Sequence, residues 1–338
     1  MHIPENYLSP ATCAVMTAAM TPIWTYAVKK VKVDVPIENF STLGIGASFS
    51  FLAMMFNVPM LGGTTGHAVG GTLIALLLGP NAACISISTA LLLQAVLFGD
   101  GGILSFGANC FNMAFVLPYL GYAVYCLLRR LFRNRSTIFS CFTAAIGSYV
   151  GLNAAALCAA IEFGIQPMLF KDALGQALYC PYDLSVSVPA MMLSHLAIAG
   201  IVEAVFTASV YAFIRKTSPH LIASENKMRS KERLPLLILP AVLVVATPIG
   251  LLADGTAWGE WSAEEIAQVV TGGESLSYTP NDLANGWSLK ALMPDYTLNG
   301  VGEAAAYLLS AIIGVAVLII LFKLISIPMK EKKMHYDT

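Results

Sequence analysis

The sequence predicts an all-α polytopic membrane protein, and three features carry that class: scarce charge, repeated apolar stretches and a one-sided distribution of basic residues. Hydrophobic residues make up 57% of the 338 and charged residues 12%, about half the usual charged share. Mean hydropathy is +0.71. A soluble domain keeps a charged surface around its core, whereas a chain this apolar is solvated by lipid.

Apolar stretches fall at about 9–28, 40–56, 65–79, 82–98, 104–128, 137–164, 185–214, 235–253 and 301–324, which predicts about nine transmembrane helices. Ser9 as N-cap and Pro10 at the first helical position open the first of them. The third and fourth are parted only by Gly79-Pro80-Asn81, a helix stop and turn. Phe98-Gly99-Asp100-Gly101-Gly102 reads as a tight turn, and Gly107 to Met113 carries two amides, Asn109 and Asn112, into a helix. Buried amides in a membrane need partners, so both are expected to bond across helices.

The stretches group into a seven-helix unit at 1–215, a basic cytoplasmic linker at 216–234, and a two-span unit at 235–330 with an outer loop at 254–300. Nine spans put the termini on opposite sides of the membrane. Of the 19 lysines and arginines, all but Lys171 and Lys290 fall in loops on one side. The positive-inside rule then sets the N-terminus outside and the C-terminus in the cytoplasm. The seven cysteines form no C-x-x-C pair and read as small buried apolar residues.

The chemistry-bearing stretch is the first: Met1-His2-Ile3-Pro4. It shows no basic n-region or cleavage site of a signal peptide, so the chain is expected to start at Met1. A bulky second residue generally protects the initiator methionine. The terminal amine, the His2 amide nitrogen and the His2 Nδ1 can close two fused chelate rings around one cation. Three nitrogens held this way lie nearly in a plane, and one more completes a square that suits Ni(II) or Cu(II) and accommodates Co(II). Termini usually fray in solvent, so the case for His2 depends on what shares its side. His67, closing Gly62-Gly63-Thr64-Thr65-Gly66, lies on that outer side. Seven or eight extended residues reach about 25 Å, enough to fold the terminus into the mouth of the bundle.

Gln94, His195 and Glu203 are the remaining intramembrane polar residues of note. Such groups are functional candidates by default. His195 and Glu203 stand eight apart, about 80° off a common helix line, which points to hydrogen bonds between helices before metal ligation. The loop at 254–300 holds Trp258, Trp261 and Trp287 and several acids but no histidine. It is expected to lie over the outer mouth and influence loading or release without supplying ligands, so that its removal leaves equilibrium binding largely intact. No G-x-x-x-x-G-K-[ST] loop is present, which excludes ATP hydrolysis by this chain. No H-E-x-x-H or G-x-S-x-G occurs, which argues against an intramembrane enzyme using His195 and Glu203. No inverted repeat is evident, which weakens the reading as a self-sufficient secondary transporter.

Met1 to Pro4 with Leu8-Ser9-Pro10, the segment Gly62 to His67, Leu78-Gly79-Pro80, Phe98 to Gly102, and Gly107-Ala108-Asn109 with Asn112-Met113 together resemble the CbiM/NikM proteins. These are the substrate-specific components of energy-coupling factor transporters for nickel and cobalt. The resemblance covers residues 1 to about 215. It implies a seven-helix unit whose N-terminus tucks inward, with the metal held by Met1, His2 and His67. Asn109, Asn112 and Asp100 are then candidates to support the ligands. Residues 235–330, with Leu292-Met293-Pro294-Asp295-Tyr296, resemble more loosely the small accessory component fused to some of these proteins. The resemblance also implies partners, namely a transmembrane coupling protein and ATP-binding cassette ATPases, in the cell membrane of a prokaryote. Ala14 and Ala18, a small-residue pair in the first span, are candidates to face the coupling protein. No permanent cofactor and no nucleic acid are expected. Ni(II) or Co(II), the latter for cobalamin synthesis, is cargo.

Overall fold

A computed structural model gives the fold and describes residues 1–35, 40–132, 136–219, 222, 234–253, 255–267, 270–271, 274–276 and 278–336. Most of the linker expected at 216–234 lies outside the described residues, as do Arg133, Arg135, Lys227, Arg229, Lys231, Arg233 and Asp254. Helix α1 runs Pro10–Asp34, with the Ser9 side chain accepting from Thr12 N as its N-cap. Helix α2 (Ser41–Met54) is followed by the short antiparallel pair β1 (Val58–Pro59) and β2 (Thr65–Gly66), then α3 (Gly71–Leu78) and α4 (Pro80–Phe98). Helices α5 (Phe106–Phe132), α6 (Thr137–Leu169) and α7 (Leu184–Thr217) complete the first unit. The second unit contributes α8 (Leu234–Ala246) and α9 (Glu303–Tyr336).

Among the described residues, six helices are long and apolar enough to cross a membrane, against nine predicted stretches: α1, α4, α5, α6, α7 and α9. The difference has a physical reason. Apolar composition marks burial, whether in lipid or in protein, and stretches of 10–14 residues are typically buried core helices. From Thr42 to Met54 every residue of α2 is buried, as expected of a helix apolar all round that is enclosed by neighbours. The third predicted stretch shrinks to the eight residues of α3, about 12 Å long. Its first part is the β2 strand and an extended link. At Gly79, with φ 89°, the chain reverses between α3 and α4, so the expected stop and turn is present.

Helix α2 is also where the two units meet, since α8 and α9 both pack against it. Gly44 allows the close approach: a Cβ there would lie 3.1 Å from the Leu318 carbonyl oxygen. The Tyr307 hydroxyl of α9 donates to the Met55 carbonyl at 2.6 Å. The second unit is therefore built onto the first along a helix that is itself core.

Candidate metal centre

The N-terminus is not frayed. Met1, His2 and Ile3 are 3%, 2% and 0% exposed, because the stretch 102–109 satisfies the Ile3 backbone and Glu260 pairs with the terminal amine. Ile3 N–H donates to Asn109 Oδ1 at 2.8 Å, and Asn109 Nδ2 returns a bond to the Ile3 carbonyl at 3.0 Å. The same carbonyl accepts from Gly102 N at 2.9 Å and Ser105 Oγ at 2.5 Å. Farther along, Tyr7 O accepts from Cys180 N at 3.0 Å, and Ser9 N–H donates to Gln166 Oε1 at 3.0 Å. A backbone segment with this many partners is fixed as firmly as a strand.

These bonds aim His2 at His67. His2 Nδ1 lies 3.2 Å from His67 Nε2, with ring centroids 4.9 Å apart. Two nitrogens bound at right angles to one cation, each about 2.0–2.1 Å away, would stand roughly 2.9 Å apart. His67 Nδ1 lies 3.2 Å from the Ala68 carbonyl oxygen. A carbonyl only accepts, so the proton sits on Nδ1 and Nε2 presents its lone pair to the gap. The third group at His2 Nδ1 is Asp100 Oδ1, 3.0 Å away. On the other side of the same residue pair, the Met1 amine makes a 3.0 Å ion pair with Glu260 Oε1.

Electrostatics keep the imidazoles available. Burial lowers the His2 pKa from 6.5 to about 4, and Glu260 opposes that shift only in part. Burial, with His2 as neighbour, also holds His67 well below the ordinary range. Both rings are therefore neutral near pH 7. Burial raises the Asp100 carboxyl above its usual range, while the Tyr296 hydroxyl pulls it back. Among the described residues, no three His, Cys, Asp or Glu side chains gather as a metal cluster. What the structure gathers here instead is two imidazoles beside the terminal amine.

The turn carrying His67 is held from below. Glu203 in α7, fully buried, accepts from Val69 N at 2.8 Å and Gly70 N at 3.1 Å. Gly70 sits at φ 70° as the N-cap of α3. His67 is thus on the link before α3 and not in its first turn. Asp100 lies in the turn expected at 98–102, where Gly99 and Gly101 take φ 72° and 86°.

Of the other sequence candidates, Asn112 donates to Glu162 Oε2 at 2.8 Å, an α5–α6 bond, and Asn109 holds Ile3. His195 Nδ1 lies 2.8 Å from the Met191 carbonyl of its own helix. His195 is thus used by the backbone of its own helix, whereas Glu203 makes a bond between elements, tying α7 to the link and N-cap of α3. Ala14 and Ala18 are exposed on α1. Sequence reasoning missed Glu260, Tyr296 and the role of Gln94. Tyr296 OH donates to Asp100 Oδ2 at 2.5 Å, and Gln94 Nε2 donates to Asp100 Oδ2 and Tyr296 OH, both at 2.9 Å. Glu260 lies 259 residues from Met1 and Tyr296 lies 196 from Asp100, separations that leave no local pattern, so only the fold could bring them together.

The family model described as the cobalt uptake substrate-specific transmembrane region, CbiM, matches residues 2–221. The chain belongs to the CbiM family. A second model, the PDGLE domain, matches residues 232–331. The chain is 47% identical over 325 residues to a probable fused nickel transport protein, LarMN, of Lactiplantibacillus plantarum, covering 96% of this chain and 97% of that one. It is also 47% identical over 336 residues to the fused nickel transport protein NikMN of Rhodobacter capsulatus, covering 94% and 95%. A crystal structure of a truncated transition metal transporter matches with a TM-score of 0.60 and 55% identity, over 64% of this chain and 99% of that one. CbiM is a family of membrane transport proteins, so the chain is a multi-pass transporter-family member in the bilayer and not an enzyme.

Proposed function

We propose that this CbiM-family chain captures a divalent transition metal, nickel or cobalt, from the outer side of the cell membrane. The terminal amine, the His2 amide nitrogen, His2 Nδ1 and His67 Nε2 form the donor square, and the metal is cargo with no resident cofactor beside it. The observation that carries this reading is the approach of two imidazole nitrogens, His2 Nδ1 and His67 Nε2, to 3.2 Å beside a buried terminal amine. Planar nitrogen donors favour nickel over cobalt, and the fused relatives in L. plantarum and R. capsulatus are named as nickel transport proteins.

The chain acts as the substrate-binding component of an energy-coupling factor importer. A coupling protein and ATP-binding cassette subunits supply the nucleotide site that the sequence lacks. Residues 1–215 form the metal-binding unit and 235–330 the accessory unit, with the N-terminus outside by the positive-inside rule. The exposed Ala14 and Ala18 on α1 suit close approach of a coupling-protein helix. Uptake of radioactive nickel and cobalt into vesicles tests this. The chain alone is expected to bind metal without concentrating it, and adding the partner subunits with ATP is expected to give accumulation. Strong concentrative uptake by the chain alone would make it a secondary transporter instead.

A further inference from the structure

Two buried polar atoms beside the proposed ligands have no hydrogen-bond partner among the described residues, His2 Nε2 and Gln94 Oε1. One is a nitrogen that can carry a proton, the other an oxygen that can only accept. Asp100 joins the two side chains: its Oδ1 lies 3.0 Å from His2 Nδ1, and its Oδ2 accepts from Gln94 Nε2 at 2.9 Å.

Gln94 cannot turn its amide around. Its Nε2 donates to Asp100 Oδ2 and to the Tyr296 hydroxyl, and that hydroxyl donates to the same carboxylate oxygen. An acceptor oxygen placed there would face Asp100 Oδ2 without a proton between them, so the amide NH2 belongs where it is and Oε1 points away. Gln94 opens a π-helical turn at the end of α4, a local widening that recurs at functional sites. Tyr296 comes from the C-terminal unit. Its ring stacks on Phe98 at 4.7 Å and meets Tyr307 edge-on at 5.4 Å. Asp295 and Tyr296 both take positive φ, 52° and 60°. Consecutive left-handed residues other than glycine are strained, and such strain persists only where the surroundings over-determine it.

We infer that Gln94 and Tyr296 are positioning residues of the metal site. Through Asp100, Tyr296 orients the Gln94 amide so that Oε1 accepts the proton His2 must carry on Nε2 when Nδ1 binds a cation. This rests on the reading of His2 as a ligand. A neutral imidazole has one proton for two nitrogens, and the hydrogen bond at one decides which is left to ligate. His67 solves this with the carbonyl of Ala68, its own neighbour. His2 is served by an amide in α4 whose orientation comes from the accessory unit. The C-terminal unit thus sets the tautomer of a ligand without supplying one.

The test uses the full-length chain with Ni(II) as probe. Tyr296→Phe keeps the ring and removes the hydroxyl, and Gln94→Met keeps the length and removes the acceptor. Calorimetry is expected to show a Kd about 10–100-fold weaker for each, the usual cost of losing a group that orients a ligand. In the Ni(II)-bound native protein, 15N-histidine NMR is expected to show a His2 Nε2–H protected from exchange, with the protection lost in both variants. Circular dichroism reports whether each variant is folded. Native affinity and native protection in the variants would overturn the inference while leaving the metal site standing. Should Tyr296→Phe fail to fold, native behaviour of Gln94→Met alone would overturn it. No Ni(II) binding by the native chain would overturn the metal reading and this inference together.

Discussion

A histidine sealed from water holds a proton poorly, since burial disfavours the charged form. His2 accordingly titrates at about 4 in the folded chain against 6.5 in an unfolded one. Between those values the unfolded chain binds the extra proton, so the stability contributed by the docked His2 is full above pH 6.5 and is lost as pH falls to about 4. NMR titration of the metal-free protein is expected to give a His2 midpoint near 4. A midpoint at 6.5 would mean a solvated, undocked terminus. Metal binding weakens in the same direction, because protons compete for the same nitrogens. His2→Ala removes the second chelate ring and is expected to abolish tight binding. His67→Ala is expected to be milder, because water can occupy the fourth corner.

Elements matter because the terminus is held by the stretch 102–109 and the His67 link by α7. Gly101 shows how tightly: a Cβ there would come within 3.1 Å of Asn109 Nδ2 and 3.4 Å of the His2 ring, at φ 86°. Gly101→Ala is therefore expected to displace His2 and weaken Ni(II) binding, measured by calorimetry, more than substitution at the open Gly62 does. Glu203→Ala leaves the buried N–H groups of Val69 and Gly70 without an acceptor. Each orphan costs about 1–3 kcal/mol, so a clear drop in melting temperature is expected along with weaker metal binding. The turns at 79–81 and 98–102 and the cap at Ser9 could be read from the sequence, because glycine, proline and serine impose local geometry. Three predicted spans correspond to the shorter helices α2, α3 and α8, and α2 shows why composition alone does not fix the span count: an apolar helix enclosed by protein has the same composition as one facing lipid. The predicted stretch 65–79 includes His67, because nothing local reveals that Glu203, 136 positions away, holds the link before α3 extended.

At the scale of the molecule, the fused unit is more than a neighbour. Thr65 Oγ1 donates to the Gly255 carbonyl at 3.1 Å, Tyr7 OH donates to the Trp261 carbonyl at 2.7 Å, and Glu260 pairs with the terminal amine. Gly255, Glu260 and Trp261 thus contact the N-terminal segment and the strand before His67. Their contacts revise one expectation. Removing the C-terminal unit takes away Glu260 from the amine, Trp261 from Tyr7 and Tyr296 from Asp100, so truncation after about residue 233 is expected to weaken Ni(II) binding as well as transport. Unchanged affinity in a folded truncation would contradict that.

The central claim is that a free amine at Met1 is part of the metal site. Extending the chain before Met1 converts that amine to an amide and moves the histidine from position two, while the helices keep their packing. Calorimetry with Ni(II) and Co(II) on the native, N-terminally extended and C-terminally extended proteins tests this directly. The account predicts loss of tight binding in the N-terminally extended protein and native binding when the extension follows Thr338. Native affinity for either metal in the N-terminally extended protein would contradict it.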